Sequence, residues 1–240
     1  QKTKKEFDIA INHFKLAISL KPEFDEAHNS LGISFTLLGQ INKGIECYEK
    51  AININPDSEE AFKNLGFNLM TVGKIEAAKK CFEKAIKINP NYAEAYNNLG
   101  NIYKKRKQFD KAMIVYDIAY ELKPDLEFIL GDVLNNKMNL CDWSNLSKYL
   151  KDLRNKIISN EKAIGPFSLL GLLDDPAYNK LASETFSNFY YPRNNSLETI
   201  STFSDSPKIR LGYFSSDFKV HPVGLLTAEL YELHDREHFE

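Results

Sequence analysis

The chain has 240 residues, with 31 Lys and Arg against 33 Asp and Glu, a formal net charge of −2, so no long-range positive field draws it to nucleic acid or to an anionic membrane. Apolar residues make up 43% and charged residues 27%, ordinary globular usage that argues against wholesale disorder, and 11 Gly with 9 Pro are few for a turn-rich all-β chain. Helix is the expectation. Cys47, Cys81 and Cys141 are too few and too scattered for a disulfide framework or a zinc knuckle, which points to a reducing, cytoplasmic setting. No run approaches the ~18 consecutive apolar residues of a membrane helix, and residues 1–10 lack the apolar core of a signal peptide.

Residues 1–22 read as one helix carrying Ala10, Phe14, Ala17 and Pro22, and these residue types then return at a fixed step of 34. Pro22, Pro56, Pro90 and Pro124 keep that step, as do Gly32, Gly66 and Gly100, and Leu31, Leu65 and Leu99. Ala17, Ala51, Ala85 and Ala119 keep it too, with the aromatic row Phe14, Tyr48, Phe82 and Tyr116. These columns resemble the tetratricopeptide repeat family. The resemblance divides residues 1–126 into a half repeat, 1–24, and full repeats 25–58, 59–92 and 93–126.

Each column has a physical cause. The glycines and alanines are small where two helices of a repeat cross closely, and the aromatics and leucines fill the space beside them. Each proline ends a second helix, having no amide proton to continue the ladder. Gly39 and Gly73 sit between helices, where a left-handed cap suits glycine, and Lys107 departs from that pattern. A lone unit leaves its apolar face exposed, so the units stack into a solenoid. Beginning in mid-repeat, the chain is expected to be a fragment truncated at this end. Cys47 and Cys81 share the period and are too far apart for a disulfide, and His13 and His28 read as packing or surface residues.

The first helices of a solenoid line its concave face, and here they carry Asn29, Ser30, Asn64, Asn97, Asn98 and Asn101. Asn64 and Asn98 lie one period apart, an arrangement that gives a ladder of amides for a peptide main chain. The same residues are also ordinary solvated helix positions, and both readings stay open. The third first-helix opens Ala93, Glu94, Ala95, Tyr96, Asn97, Asn98 with no basic residue, which argues against a clamp for an acidic peptide terminus.

Beyond Pro124 the columns fade. Residues 127–160 read as a closing helical pair: Leu126 to Met138 is helix-like, and Leu146, Tyr149, Leu150, Leu153 and Ile157 share one face of a second helix. Asp142 or Ser144 suits its cap, and Trp143 is expected to plug the last repeat. Residues 161–207 read as a linker containing a helix from Pro176 to Phe189, its most polar part being 194–207. At 209–214 comes the first credible strand, then a loop and helical spacing from Val223 to Leu233, in the order of a first βα step.

Leu211, Gly212, Tyr213, Phe214, Ser215, Ser216, Asp217, Phe218, His221 and Pro222 resemble the opening of the catalytic region of the protein O-GlcNAc transferases, relatives of the plant protein O-fucosyltransferase. Cys141, Asp142 and Trp143 match that family's helical connector, and 166–192 resembles the linker of bacterial relatives. The resemblance implies a mostly α chain: a repeat solenoid, linker helices, and at 208–240 the truncated first strand and helix of a GT-B, Rossmann-like α/β domain. It implies transfer of a sugar, GlcNAc from UDP-GlcNAc, to Ser or Thr of acceptor proteins held by the repeats. No metal or cofactor is implied. His221 carries over as the family's histidine, either a base or a contact to phosphate or acceptor, while Ser215, Ser216 and Asp217 either shape the sugar-nucleotide pocket or bond their own loop. With the second lobe missing, the 240 residues alone are expected to be inactive. The alternative is a non-enzymatic tetratricopeptide-repeat interaction scaffold. His234, Glu237 and His238 spell an inverted zinc-protease pattern, but at a helix end with no third ligand downstream, so no metal site is expected.

Overall fold

A computed structural model of the chain describes residues 2–191. They form eleven helices: α1 (Lys2–Leu20), α2 (Asp25–Leu37), α3 (Ile41–Ile54), α4 (Glu59–Thr71), α5 (Ile75–Ile88), α6 (Ala93–Lys105), α7 (Phe109–Leu122), α8 (Ile129–Asn139), α9 (Leu146–Ile158), α10 (Pro166–Leu169) and α11 (Pro176–Tyr190). There is no strand among the described residues. The expected mixed architecture is therefore corrected to an all-α solenoid over this range. The part assigned as linker helps to close that solenoid, because its apolar residues pack against α8 and α9. The strand expected at 209–214, the helix after it and the polar stretch 194–207 lie outside the described residues.

Three antiparallel hairpins, α2 with α3, α4 with α5 and α6 with α7, stack in sequence, each helix packing chiefly on its chain neighbours. The glycine column sets the closeness of each hairpin. A Cβ on Gly32 would lie 2.6 Å from the Tyr48 ring, on Gly66 2.7 Å from Phe82, and on Gly100 2.5 Å from Tyr116. The facing Ala51, Ala85 and Ala119 are completely buried, as are the Phe82 and Tyr116 rings. Both helices thus give up side-chain volume where they cross, and the ring of the second helix fills what is left.

The repeat ends are built with equal regularity. α3, α5 and α7 stop two residues before Pro56, Pro90 and Pro124. Asn55, Asn89 and Lys123, each preceding proline, have φ of −126, −124 and −147° with ψ between 82 and 96°, the extended backbone that proline imposes on its neighbour. Each of these residues also reaches back to the first helix of its own repeat: Asn55 Nδ2 donates to Asp25 at 2.7 Å, Asn89 Nδ2 to Glu59 at 3.3 Å and Lys123 Nζ to Glu94 at 2.8 Å.

Between the helices of a repeat, Gly39 and Gly73 adopt φ of 75 and 81°, and Lys107 is held at 58° in the third. The left-handed region costs a residue bearing a Cβ roughly 1 kcal/mol that glycine avoids. Lys107→Gly is therefore expected to stabilise the chain by about 0.5–1 kcal/mol in urea unfolding; a neutral or destabilising result would mean that Lys107 gains elsewhere what its backbone loses.

The repeat register continues into α8 and α9, but its small residues do not. Leu134 stands one period after Gly100, and Leu153 one period after Ala119. With leucines on both sides of the crossing, α8 and α9 make far less contact with each other than the helices of a repeat do. The opened wedge is filled by residues that follow: Leu134 and Leu153 join Ala163, Ile164, Leu169, Leu173 and Ala182 in one buried cluster. The chain at 162–163 also crosses the start of α8, where Lys162 O accepts from Phe128 N–H at 2.5 Å and Ala163 O from Gly131 N–H at 2.9 Å. Gly131 permits this approach, since a Cβ there would sit 3.0 Å from Ala163 O.

Two local expectations are overturned. Trp143 is 57% exposed and plugs nothing. Neither Asp142 nor Ser144 caps α9: the N-cap is Asn145, in left-handed backbone and without a side-chain cap bond. Asp142 instead pairs with the buried Lys137 ammonium and accepts the Ser144 N–H at 2.9 Å, while Lys137 also donates to Ser144 Oγ at 3.1 Å.

Candidate functional site: the first-helix face

α2 packs against α4, and α4 against α6, whereas no comparable packing joins α3 to α5 or α5 to α7. The first helices thus lie closer together than the second helices, so the solenoid curves toward them and they line its inner face. The asparagines predicted to line that face fall into two groups.

Asn64, half-buried on α4, donates its amide to Asn29 Oδ1 on α2 at 3.0 Å, joining successive first helices through their side chains. Asn98 stands one period on and is also half-buried. Asn101 is bound within its own repeat, its Oδ1 accepting the Tyr116 hydroxyl at 2.8 Å. It ties α6 to α7, and only its amide nitrogen remains for a ligand. His221, Ser215, Ser216 and Asp217 lie outside the described residues.

A second asparagine row escapes the sequence reading. Asn68 and Asn136, two periods apart, are completely buried. Asn68 Nδ2 donates to Thr36 Oγ1 at 2.8 Å, and Asn136 Nδ2 to Phe109 O at 2.9 Å. Ile102 occupies the position between them, so the period breaks where a reader would look for it. These amides serve packing between repeats and face no ligand.

The charge of the face is set by Glu26, Glu60 and Glu94, one period apart in the first turns of α2, α4 and α6. Lys63 stands among them. Burial lowers its pKa, and the carboxylates of Glu60 and Glu94 partly restore it. Burial pushes the Glu94 carboxyl up, but its hydrogen bond from Lys123 outweighs that with its backbone bond and holds it below the usual range. Tyr92 is raised by burial first and then by Glu60, Glu94 and Glu59. Among the described residues no group of three or more His, Cys, Asp or Glu is arranged to hold a metal ion. No described helix is long and apolar enough to cross a membrane.

Comparison with known proteins bears on the class. Residues 25–58 and 93–126 match the Tetratricopeptide repeat family, and residues 69–107 match the TPR repeat family. A solved structure described as "Crystal structure of MamA" is 28% identical, with a TM-score of 0.55 over 62% of this chain and 88% of that one. Another, "Crystal structure of MamA protein", is also 28% identical, with a TM-score of 0.55 over 65% and 85% of the two chains. The MamA fragment from Desulfovibrio magneticus RS-1, 18% identical over 64% and 86% with a TM-score of 0.55, shares the fold. No curated protein sequence matches the chain.

These findings support a helical tetratricopeptide-repeat protein, and they overturn the glycosyltransferase expectation. The matched families are repeat families, and the similar structures carry the same repeat fold. The sugar-transfer activity, its UDP-GlcNAc donor and the assignment to the O-GlcNAc transferases are corrected accordingly. Cys141, Asp142 and Trp143, which carried part of that resemblance, belong to a turn with a local structural role, in which Asp142 fastens the α8–α9 connection to Lys137.

Proposed function

We propose that the solenoid is a protein–protein interaction scaffold whose inner face holds an extended segment of a partner polypeptide. The observation that carries this reading is the Asn29–Asn64 amide pair at 3.0 Å between α2 and α4, with Asn98 at the next step of the same row. A carboxamide donates and accepts at once, so a row of them serves a main chain whatever its side chains. The repeat-family matches and the curvature toward the first helices support the same reading.

The test uses a peptide selected by display against the whole chain. Replacing Asn64 and Asn98 together by alanine is expected to weaken that peptide about tenfold, the loss of two modest hydrogen bonds, and to lower the thermal midpoint by a few degrees, since Asn64 also bonds the buried Asn29 on α2. Unaltered affinity in the double variant, or cross-linking of the peptide to α3, α5 or α7, overturns the reading.

A further inference from the structure

We propose that the junction between the first two full repeats receives a lysine or arginine side chain of the bound polypeptide, seated between Glu26 and Glu60. The inference rests on the scaffold reading and specifies the chemistry of the segment held. A cavity of about 420 Å³ opens at this junction, and its wall includes Asp25, Glu26, Asp57, Glu59 and Glu60 but no basic residue. Asp25 is engaged by Asn55 and Glu59 by Asn89. Glu26 and Glu60 are exposed and form no ion pair among the described residues. Carboxylates in a helix's first turn are ordinary complements to its dipole, so their presence alone marks nothing.

The repeat itself supplies the comparison that gives them meaning. One period on, Glu26 becomes Glu60, Glu60 becomes Glu94, and Asn29 becomes Lys63. At that second junction the chain provides its own cation, Lys63, within the field of Glu60 and Glu94, and Tyr92 stands where the first junction has only Ser58. The first junction keeps the carboxylate pair with no lysine in its wall, Glu60 sharing the field of Lys63 with Glu94 of the second junction.

Asn29, in the lysine's place, is 7% exposed and lies in the cavity wall. Its oxygen is taken by Asn64, and its amide nitrogen makes no hydrogen bond among the described residues, leaving a donor for a main-chain carbonyl of the same segment. The carboxylates do not converge as metal ligands would. An ammonium or guanidinium on a flexible stem fits this spread of charge, and it forms charge-assisted hydrogen bonds there.

Fluorescence anisotropy on the whole chain tests this with three labelled Gly-Ser peptides, carrying arginine, lysine or acetyl-lysine at every third position. At low salt the two basic peptides are expected to bind at least about tenfold more tightly than the acetylated one. The double substitution Glu26→Gln and Glu60→Gln, both at exposed positions, should erase that preference. Asn29→Lys, which copies the second junction, should erase it as well; should its circular dichroism melt show loss of fold, the glutamine variant decides alone. Equal binding of the three peptides, or a preference that survives the glutamine variant, overturns the inference and leaves the scaffold reading standing. Binding of none overturns both. A glutamine variant that alters the chain's own sedimentation while the peptide preference stays put assigns the surface to self-association and overturns the inference.

Discussion

Gly66→Leu is expected to lower stability by more than about 3 kcal/mol and to part α4 from α5. Even the first added atom of that side chain would lie 2.7 Å from the Phe82 ring, which is completely buried. Overpacking a close-packed site by a methylene or two typically costs about 1–3 kcal/mol, and leucine adds more volume than that. The chain shows the structural result at its own fourth crossing. There Leu134 and Leu153 replace the small pair, the helices splay, and a further segment of chain fills the gap. Repeat two has no such segment to spare. Urea unfolding followed by circular dichroism reads the loss, and a companion variant sharpens it: Gly66→Ala is expected to cost about 1–3 kcal/mol alone, and part of that loss should return when Phe82→Leu is added. A Gly66→Leu chain within about 1 kcal/mol of the parent would sink the argument from close approach.

Lys137→Ala should be the most damaging substitution in the closing turn, at about 2–4 kcal/mol. Lys137 is almost wholly buried, with its ammonium on Asp142 and Ser144 and 5.7 Å from the centre of the Tyr149 ring. Truncation removes a packed aliphatic stem along with a charge whose partners are already in place. Lys137→Met keeps most of the stem and is expected to cost less than the alanine.

The pair also predicts an acid dependence. Hydrogen bonds from Lys137 and Ser144 hold the Asp142 carboxyl below the usual carboxylate range. A carboxyl depressed in the folded state contributes stability above its unfolded pKa of ~4 and loses that contribution as pH falls through its folded value. The stability gap between the parent and Asp142→Asn should therefore be constant near neutrality and should close progressively below about pH 4. A gap that stays flat through acid would place the contribution of Asp142 in packing and not in its charge.

What the sequence made legible follows from how local each cause is. The glycine, alanine and aromatic columns announce the helical repeats because each residue acts on a neighbour in the same hairpin, at a fixed offset along the chain. Gly39 and Gly73 are readable for the same reason: their left-handed backbone is a property of one residue. The fate of Trp143 is not readable in that way. Its exposure depends on Lys137 and Asp142 fixing the turn, a combination that amphipathic spacing does not encode. Nor does spacing distinguish Asn64 from Asn68, one turn of helix apart. The first is half-buried on the inner face and the second is sealed between repeats, and only the packing of α2 and α3 separates them. The transferase resemblance misleads because short motifs at 141–143 and 211–222 read together as parts of one catalytic assembly. The first of them is explained by the turn it builds.

The succession of hairpins, each fastened by its own side-chain tie and touching little beyond its neighbours, has a mechanical consequence. Tension applied between the two ends is shared by several weak seams in series and meets no single clasp. Such a body is expected to lengthen as a spring does, by slight rotations at every seam and without any hairpin coming apart.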